Sequence, residues 1–552
     1  MALILTVGTA MRLWIITETH YDNVIGTPLV DDSYYYFTLG QNIAAGRGTM
    51  IDDFHVTTAF QPLWGALSGI VFSIWEGTDG IRALQSISMM VNLITFFVIY
   101  VLTLRITKND IVALFSAGIW YLAPIPMQFS MSAMELPIAI LFPLLLMFLL
   151  YGVYERGSVT TQFLVLFGVV SGISFLARVE TSILAALCGM ALMIAPPTGS
   201  DRTLRARIRA PLIIGGVAFV VLIPWFIFSL TVSGSIIPDS GGALRVWANA
   251  IFTRGYNVVT QWEIVQSYME ALKLNIYTLS PMMMQPWYRL QAHWIVIGVL
   301  ALIFVVRRVT GWQLFFVGIA WTMILFVAFS FFVPAAWYFQ RYAMPSATVM
   351  NVLIVAMSLP FLIRLTRNRR WLGLMIAGGL VLYASPGVFN HWRMVYINKD
   401  LRLAFSRGDT ADGLIHAIMW LNANAQPGEI AASWGSGMIT FYSDLPVVNL
   451  DGVVNRDASR AQAAGETWAY LCDFGVTYVV DWTGYFRTMS PNIFYFRDGA
   501  YNANLSVADQ LVFNHDNRYV DLIGFYANNT YEYHHTTVIT RVKRENCPTM
   551  GE

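Results

Sequence analysis

Asp31 and Asp32 stand side by side, after an apolar N-terminal segment and before the aromatic run Tyr34-Tyr35-Tyr36-Phe37. Adjacent carboxylates have a few uses: taking a proton from an attacking hydroxyl, holding a cation, or capping a helix start. Capping accounts well for one aspartate and less well for two. In a chain this apolar the pair is costly unless water or a substrate meets it. The predicted role is the acidic centre of an active site at the outer face of a membrane. Further along, Glu135 opens the helix Glu135-Leu136-Pro137, where the helix dipole also favours a carboxylate. Arg178 and Glu180 form a charged turn between two apolar runs, fit for a substrate or for a structural ion pair. Arg341 sits among aromatics in Trp337-Tyr338-Phe339-Gln340-Arg341-Tyr342. Its guanidinium fork suits a phosphate, and interfacial snorkelling is the competing role. Tyr35, His55 and Tyr342 complete the set of candidate substrate contacts.

These side chains need a membrane scaffold to bring them together. Of 552 residues, 56% are hydrophobic and 12% charged, the composition of a polytopic membrane protein. The net charge of +1 gives no general attraction to nucleic acid. Apolar runs at 1–18, 83–104, 110–127, 135–153, 161–177, 180–196, 211–232, 293–306, 312–333, 343–363 and 371–387 read as spans. The basic turns Arg105/Lys108, Arg156, Arg202/Arg205/Arg207/Arg209, Arg307/Arg308 and Arg364/Arg367/Arg369/Arg370 then fall on one side, the cytoplasm. That requires 32–45 and 62–75 to lie in the outer interface as two surface helices. Tyr34, Tyr35, Tyr36, Phe37 and Trp64 suit that depth. The expected fold is therefore about eleven transmembrane helices with two interfacial helices in the first outer loop. The N-terminus is inside, as a retained helix, and the C-terminus outside. Asp31, Asp32, His55, Glu135, Arg178, Glu180 and the long loop 233–292 all gather on the outer face.

After residue 387 the pattern becomes that of a soluble domain. A helix over Leu414–Leu421, strands at 430–434, 445–450 and 476–481, and a helix over 469–474 predict a small α/β domain. The expected division is 1–387 for the membrane part and 388–552 for an extracytoplasmic domain. Cys472 and Cys547 could pair if that region lies outside the cytoplasm. No cysteine spacing fits zinc.

Asp31-Asp32-Ser33-Tyr34, Gly46-Arg47-Gly48 and Gln61-Pro62-Leu63-Trp64 resemble the opening of the polytopic GT-C glycosyltransferases. Ser132-Ala133-Met134-Glu135-Leu136-Pro137, Ala177-Arg178-Val179-Glu180, Gly234-Ser235-Ile236-Ile237-Pro238-Asp239 and Gln340-Arg341-Tyr342-Ala343-Met344-Pro345 resemble further motifs of that group. The nearest branch is the actinobacterial arabinofuranosyltransferases. Val179 and Leu136 depart from its usual Pro and Thr. The resemblance implies a polyprenyl-phosphate sugar donor, a glycan, lipid or protein acceptor, and inverting transfer of a hexosyl or pentosyl group in a prokaryotic plasma membrane. It also implies an aspartate of the first loop as general base.

Transfer from a lipid phosphate needs a base for the acceptor hydroxyl and cations for the departing phosphate. Asp31 or Asp32 can be the base, with Asp31 favoured because it precedes the amphipathic run. Arg341 and Arg178 can hold the phosphate, and Glu135 can bind sugar hydroxyls. No cofactor is firmly implied, although the paired acids leave a divalent metal open. The competing readings are a lipid or glycan flippase, and a membrane-anchored binding protein. No inverted repeat favours the flippase, and an anchor needs far fewer spans.

Overall fold

The structure is a computed structural model and describes residues 1–19, 28–201, 203–236, 240, 243, 262, 265, 311–332, 339–366, 409–482, 485–486, 519–526 and 537–547. The runs expected to span at 293–306 and 371–387, most of the loop 233–292 and the expected boundary at 387 lie outside these residues. The other expected spans are helical. They are α1 (Ala2–Glu18), α4 (Gly77–Thr107), α5 (Asp110–Leu122), α7 (Leu136–Arg156), α8 (Thr161–Ala177), α9 (Thr181–Ile194), α10 (Leu204–Ser233), α11 (Trp312–Val327, extended by a π-turn over Ala328–Phe332) and α12 (Phe339–Thr366). Among the described residues, the helices 77–107, 136–156, 204–233 and 312–332 are long and apolar enough to cross a membrane. The chain is a polytopic integral membrane protein.

One expected span is broken. The run 110–127 stops at Leu122, and the short α6 (Pro124–Ser130) follows. Ala123 precedes a proline and takes extended dihedrals (φ −64°, ψ 126°), because a following proline disfavours the helical region. The turn after α6 leads directly to Glu135.

The two surface helices form as expected, α2 (Asp31–Ala44) and α3 (Pro62–Phe72). They approach closely: a Cβ on Gly40 would fall 2.9 Å from the carbonyl oxygen of Ser68. Their aromatics, however, do not form a lipid-facing belt. Tyr34, Tyr35, Tyr36, Phe37 and Trp64 are all buried. The C-terminal α/β unit covers Tyr34, Tyr35 and Phe37 of α2, while Tyr36 and Trp64 turn toward the bundle and the turn before Glu135, so an expected interfacial surface becomes a core.

That unit holds α13 (Asp409–Asn424), β1 (Ala431–Ser433), α14 (Ser436–Tyr442), β2 (Val447–Asn449), α15 (Arg456–Ala464), α16 (Thr467–Asp473), β3 (Tyr478–Trp482), β4 (Val520–Tyr526) and β5 (Thr537–Val542). The strands form one sheet in the order β2-β1-β3-β5-β4. β2, β1 and β3 are parallel, and β5 and β4 continue antiparallel. The strands expected at 430–434, 445–450 and 476–481 are present; β4, β5, α14 and α15 were not anticipated. Cys472 and Cys547 are bonded to each other, which ties the end of α16 to the segment after β5. The first loop covers the open side of β2: the Val447 amide donates to the Asp53 carboxylate at 2.9 Å, and the Asp53 amide reaches the Val447 carbonyl at 3.4 Å. A bare strand edge is a template for unwanted pairing, and this contact masks it.

The described basic turns, at Arg105/Lys108, Arg156 and Arg205/Arg207/Arg209, gather at one end of the bundle. Lys108 pairs with Glu155 at 2.7 Å, Arg105 pairs with the same carboxylate, and Arg209 donates to Thr161 Oγ1 at 2.7 Å. Glu135 lies just before α7 and Arg156 closes it. A helix of that length separates the two ends by roughly 30 Å, about one bilayer core. A membrane-impermeant maleimide should therefore label Ser158→Cys and Ala463→Cys, both exposed positions, from opposite sides in oriented vesicles. Labelling of both from the same side would overturn this arrangement.

Candidate active site

α2 places its side chains by a simple rule: residues four apart share a face. Asp31 and Tyr35 therefore point one way, and Asp32 and Tyr36 another. Asp32 and Tyr36 face the membrane bundle. Asp32 Oδ2 accepts from Arg341 Nη1 at 2.7 Å, and the Tyr36 hydroxyl accepts from the Gln61 amide at 3.3 Å. Arg341 lies in the first turn of α12, where the helix dipole opposes a cation. Carboxylates offset that: Arg341 Nη2 reaches Glu135 Oε1 and Oε2 at 2.9 and 2.8 Å, and Nε reaches Oε1 at 3.2 Å. Arg178 Nη1 contacts Glu135 Oε1 at 3.3 Å, and its Nε is bonded to Glu180. The Arg178 guanidinium lies 4.9 Å over the Tyr342 ring, which stacks on Phe329 at 4.8 Å. Five charged side chains from α2, the turn before α7, the α8–α9 turn and α12 thus converge.

The turn that presents Glu135 is strained. Ala133 is buried with φ +58°, a left-handed conformation that costs an alanine about 1–2 kcal/mol. Its carbonyl accepts from Trp64 Nε1 of α3 at 3.0 Å, which holds it there. α3 therefore positions Glu135 as well as packing against α2.

Asp31 and Tyr35 face the C-terminal unit. The Asp31 carboxylate accepts from the amides of Gly437 at 3.1 Å and Met438 at 2.8 Å, both in α14. Gly437 admits no side chain, because a Cβ there would fall 2.2 Å from the Asp31 carbonyl oxygen. The Tyr35 hydroxyl donates to Asp451 Oδ2 at 2.7 Å and accepts from Asn449 Nδ2 at 3.1 Å. Asp481 collects Ser433 Oγ and the amides of Trp434 and Gly435 on a single oxygen at 2.7–2.9 Å.

Comparison with solved structures finds the same arrangement of helices. The archaeal oligosaccharyltransferase AglB from Archaeoglobus fulgidus, in complex with an inhibitory peptide and a dolichol-phosphate, aligns over 89% of this chain and 70% of its own, with TM-score 0.55 and 13% identity. ArnT from Cupriavidus metallidurans, bound to undecaprenyl phosphate, aligns over 99% of both chains with TM-score 0.56 and 12% identity. Its apo form aligns over 99% of this chain and 98% of its own, with TM-score 0.54 and 12% identity. The fold is GT-C-like. Residues 406–538 match a family described only as a domain of unknown function, DUF8728. No curated protein matches by sequence.

The structure brings Asp32, Glu135, Arg178, Glu180, Arg341 and Tyr342 into one network, and Asp31 and Tyr35 to its border with the C-terminal unit. His55 lies apart from it. Its Nδ1 is 2.8 Å from Asp52 Oδ2 and its ring packs 5.4 Å from Phe474, so it helps seat the first loop on the C-terminal unit. Asp31 and Asp32 diverge, because adjacent helical residues point about 100° apart. Among the described residues no group of three or more His, Cys, Asp or Glu side chains is arranged to hold a metal ion. Sequence reasoning missed Asp451, Asp481 and Asn449. The available signals were strands ending in polar residues, Val447-Val448-Asn449-Leu450-Asp451 and Tyr478-Val479-Val480-Asp481.

Burial pushes the Asp31 carboxyl up to about 7, and its neighbours Asp32 and Asp451 add to the rise, against the pull of the Met438 and Gly437 amides. Burial raises Asp451 and Asp481 to about 7 as well. The folded chain thus keeps protons that an unfolded chain releases near pH ~4. Stability from these groups is complete below that value and is lost as pH rises through about 7. The thermal midpoint of the purified protein should rise between pH 8 and pH 6, and Asp481→Asn should flatten that rise. A midpoint that is level or falls over this range in the wild type would contradict the assignment.

Proposed function

We propose that the chain is a membrane glycosyltransferase that moves a sugar from a polyprenyl-phosphate donor to a glycan, lipid or protein acceptor at the extracytoplasmic face. The observation that carries the reading is the pairing of Arg341 with Asp32 and Glu135 at the mouth of the bundle, one residue from Asp31. A phosphate needs a guanidinium fork, and a hydroxyl attack needs a nearby carboxylate; both stand here within one turn of α2. AglB and ArnT, bound to dolichol-phosphate and undecaprenyl phosphate, lend support by fold. The Cys472–Cys547 bond supports an oxidising, extracytoplasmic setting for the C-terminal unit. The motif resemblance supports transfer of a hexosyl or pentosyl group.

In this mechanism the prenyl chain stays in the bilayer while the phosphate enters beside Arg341. Both arginines already face carboxylates, so a phosphate oxygen competes with Asp32 for Arg341 Nη1. Asp31 takes the proton of the acceptor hydroxyl as that oxygen attacks the anomeric carbon. The bond from carbon to phosphate oxygen breaks on the opposite face, giving inversion. The electron pair stays on the phosphate, where Arg341 and Arg178 neutralise it. Glu135 holds Arg341 in place. A proton affinity near neutral pH suits Asp31 as the base.

The experiment is transfer of label from a prenyl-phosphate pentose or hexose in proteoliposomes. Label on an acceptor in membrane extract supports the enzyme; donor carried across unchanged would make the chain a flippase. Asp31→Asn should fold and bind donor but transfer slower by about 10²-fold or more, the scale of general-base loss. Asp32→Asn should lose less, and a reversed order would move the base to Asp32. Arg341→Lys keeps the charge but loses the fork, and donor affinity should fall at least about tenfold. Donor affinity equal to wild type would reduce Arg341 to a structural partner of Glu135.

A further inference from the structure

We propose that Asp451 of the C-terminal unit is a positioning residue for the transfer reaction: through Tyr35 it sets the rotation of α2 about its axis, and so which face Asp31 presents. The inference rests on the glycosyltransferase reading and adds a component outside the membrane bundle. It follows from a closed circuit of hydrogen bonds. Asp31 is held by the amides of Gly437 and Met438. The preceding residue, Ser436, accepts from Asn449 Nδ2 at 2.7 Å through Oγ. The same Asn449 amide donates to the Tyr35 hydroxyl at 3.1 Å, and that hydroxyl donates to Asp451 at 2.7 Å. Tyr35 lies one turn beyond Asp31 on α2, which closes the ring.

Asp451 is itself fixed. Its Oδ1 accepts from the Val453 amide at 2.6 Å, and Gly452 takes φ +76°, a turn that favours glycine. The loop is tied back by Asn455 Nδ2 to the Asn449 carbonyl at 2.7 Å. Both anchoring segments follow neighbouring parallel strands, β1 and β2, so they move as one body. A helix turned by about 100° would exchange the places of Asp31 and Asp32. The Tyr35–Asp451 bond resists that turn, together with the Asn449 bond to the same hydroxyl and the two amides that hold Asp31. The titratable groups around Asp31 are Asp32, Tyr34 and Tyr35 on α2 and Asp451, Asp481 and Tyr485 on the C-terminal unit. The cation bonded to this set is Arg341, through Asp32.

The test uses the full chain in proteoliposomes with Tyr35→Phe, Asp451→Asn, Asp451→Ala and the double variant Tyr35→Phe/Asp451→Ala. Tyr35→Phe and Asp451→Ala should each lower kcat about tenfold with the donor KM within about twofold, and the double variant should lose no more, since both cut one link. The acid limb of the pH profile should move to lower pH in Asp451→Asn, because a neighbouring negative charge is gone; a purely structural role leaves the limb in place. Additive losses, a donor KM effect without a kcat effect, or an unmoved limb would each overturn the proposal. If Asp451→Ala does not fold, Tyr35→Phe and Asp451→Asn decide it alone. If wild type transfers no sugar, the glycosyltransferase reading fails separately. The proposal is then read from the infrared titration of the Asp31 carboxyl, assigned by its loss in Asp31→Asn: a midpoint lowered in Asp451→Asn supports the circuit, and an unchanged one overturns it.

Discussion

The two-oxygen grip of Arg341 on Glu135 is the contact on which the rest of this structure depends. Both groups are buried, and stripping water from either charge costs several kcal/mol unless the partner is well placed. The geometry meets that condition with a fork on a carboxylate, and Arg178 adds a second cation on the same oxygen. Everything needed to keep this pair buried also builds the site. Trp64 holds the strained turn before Glu135, Tyr342 and Phe329 floor Arg178, and Asp32 takes the one Arg341 nitrogen directed toward α2. A pair worth little for stability, compared with an apolar pair of equal volume, is retained where charge has a use.

The C-terminal unit is attached by two kinds of force with different roles. Tyr34, Phe37, Phe72, Phe441 and Tyr442 form an aromatic cluster with ring centroids 4.9–6.4 Å apart. Such pairs give about 0.5–1.5 kcal/mol each beyond the area they bury, but they tolerate sliding. The hydrogen bonds to Asp31, Tyr35, Asp52 and Asp53 are directional and fix the register. α2 is thus a strut with one charged face in the bundle and one on the sheet unit.

Much of the bundle side was legible in the sequence for a physical reason. A charge in an apolar chain is anomalous, so Asp31, Asp32, Glu135, Arg178 and Arg341 announce themselves, and the one-sided Arg and Lys turns orient them. The same logic fails beyond residue 400. Asp451 and Asp481 sit in a segment where polar residues are common, and nothing local marks them as buried. The aromatics Tyr34 to Phe37 fit both a headgroup layer and a core, and for Tyr34 and Phe37 it is the cover supplied by α14 that separates the two. β4 and β5 lack a clean alternating signal: β4 has a register shift between Leu522 and Gly524, and β5 is buried from Thr537 to Thr540 rather than on one face only. His55 was placed near the acids by proximity in sequence, whereas its ring follows Asp52 toward Phe474.

The bond between Asp31 and Met438 joins residues 407 positions apart. During synthesis at about 5–20 residues per second, the first loop emerges roughly 20–80 s before its partner exists. Throughout that interval the acid pair has no α14 to orient it and the aromatic face of α2 has no cover. A ribosome-bound chain therefore carries the parts of a site without the site itself. The contacts around Asp31 are complete only when the last quarter of the protein has been made. The same delay leaves the uncovered aromatic face of α2 and α3 open to a chaperone or to lipid, and to neither afterwards.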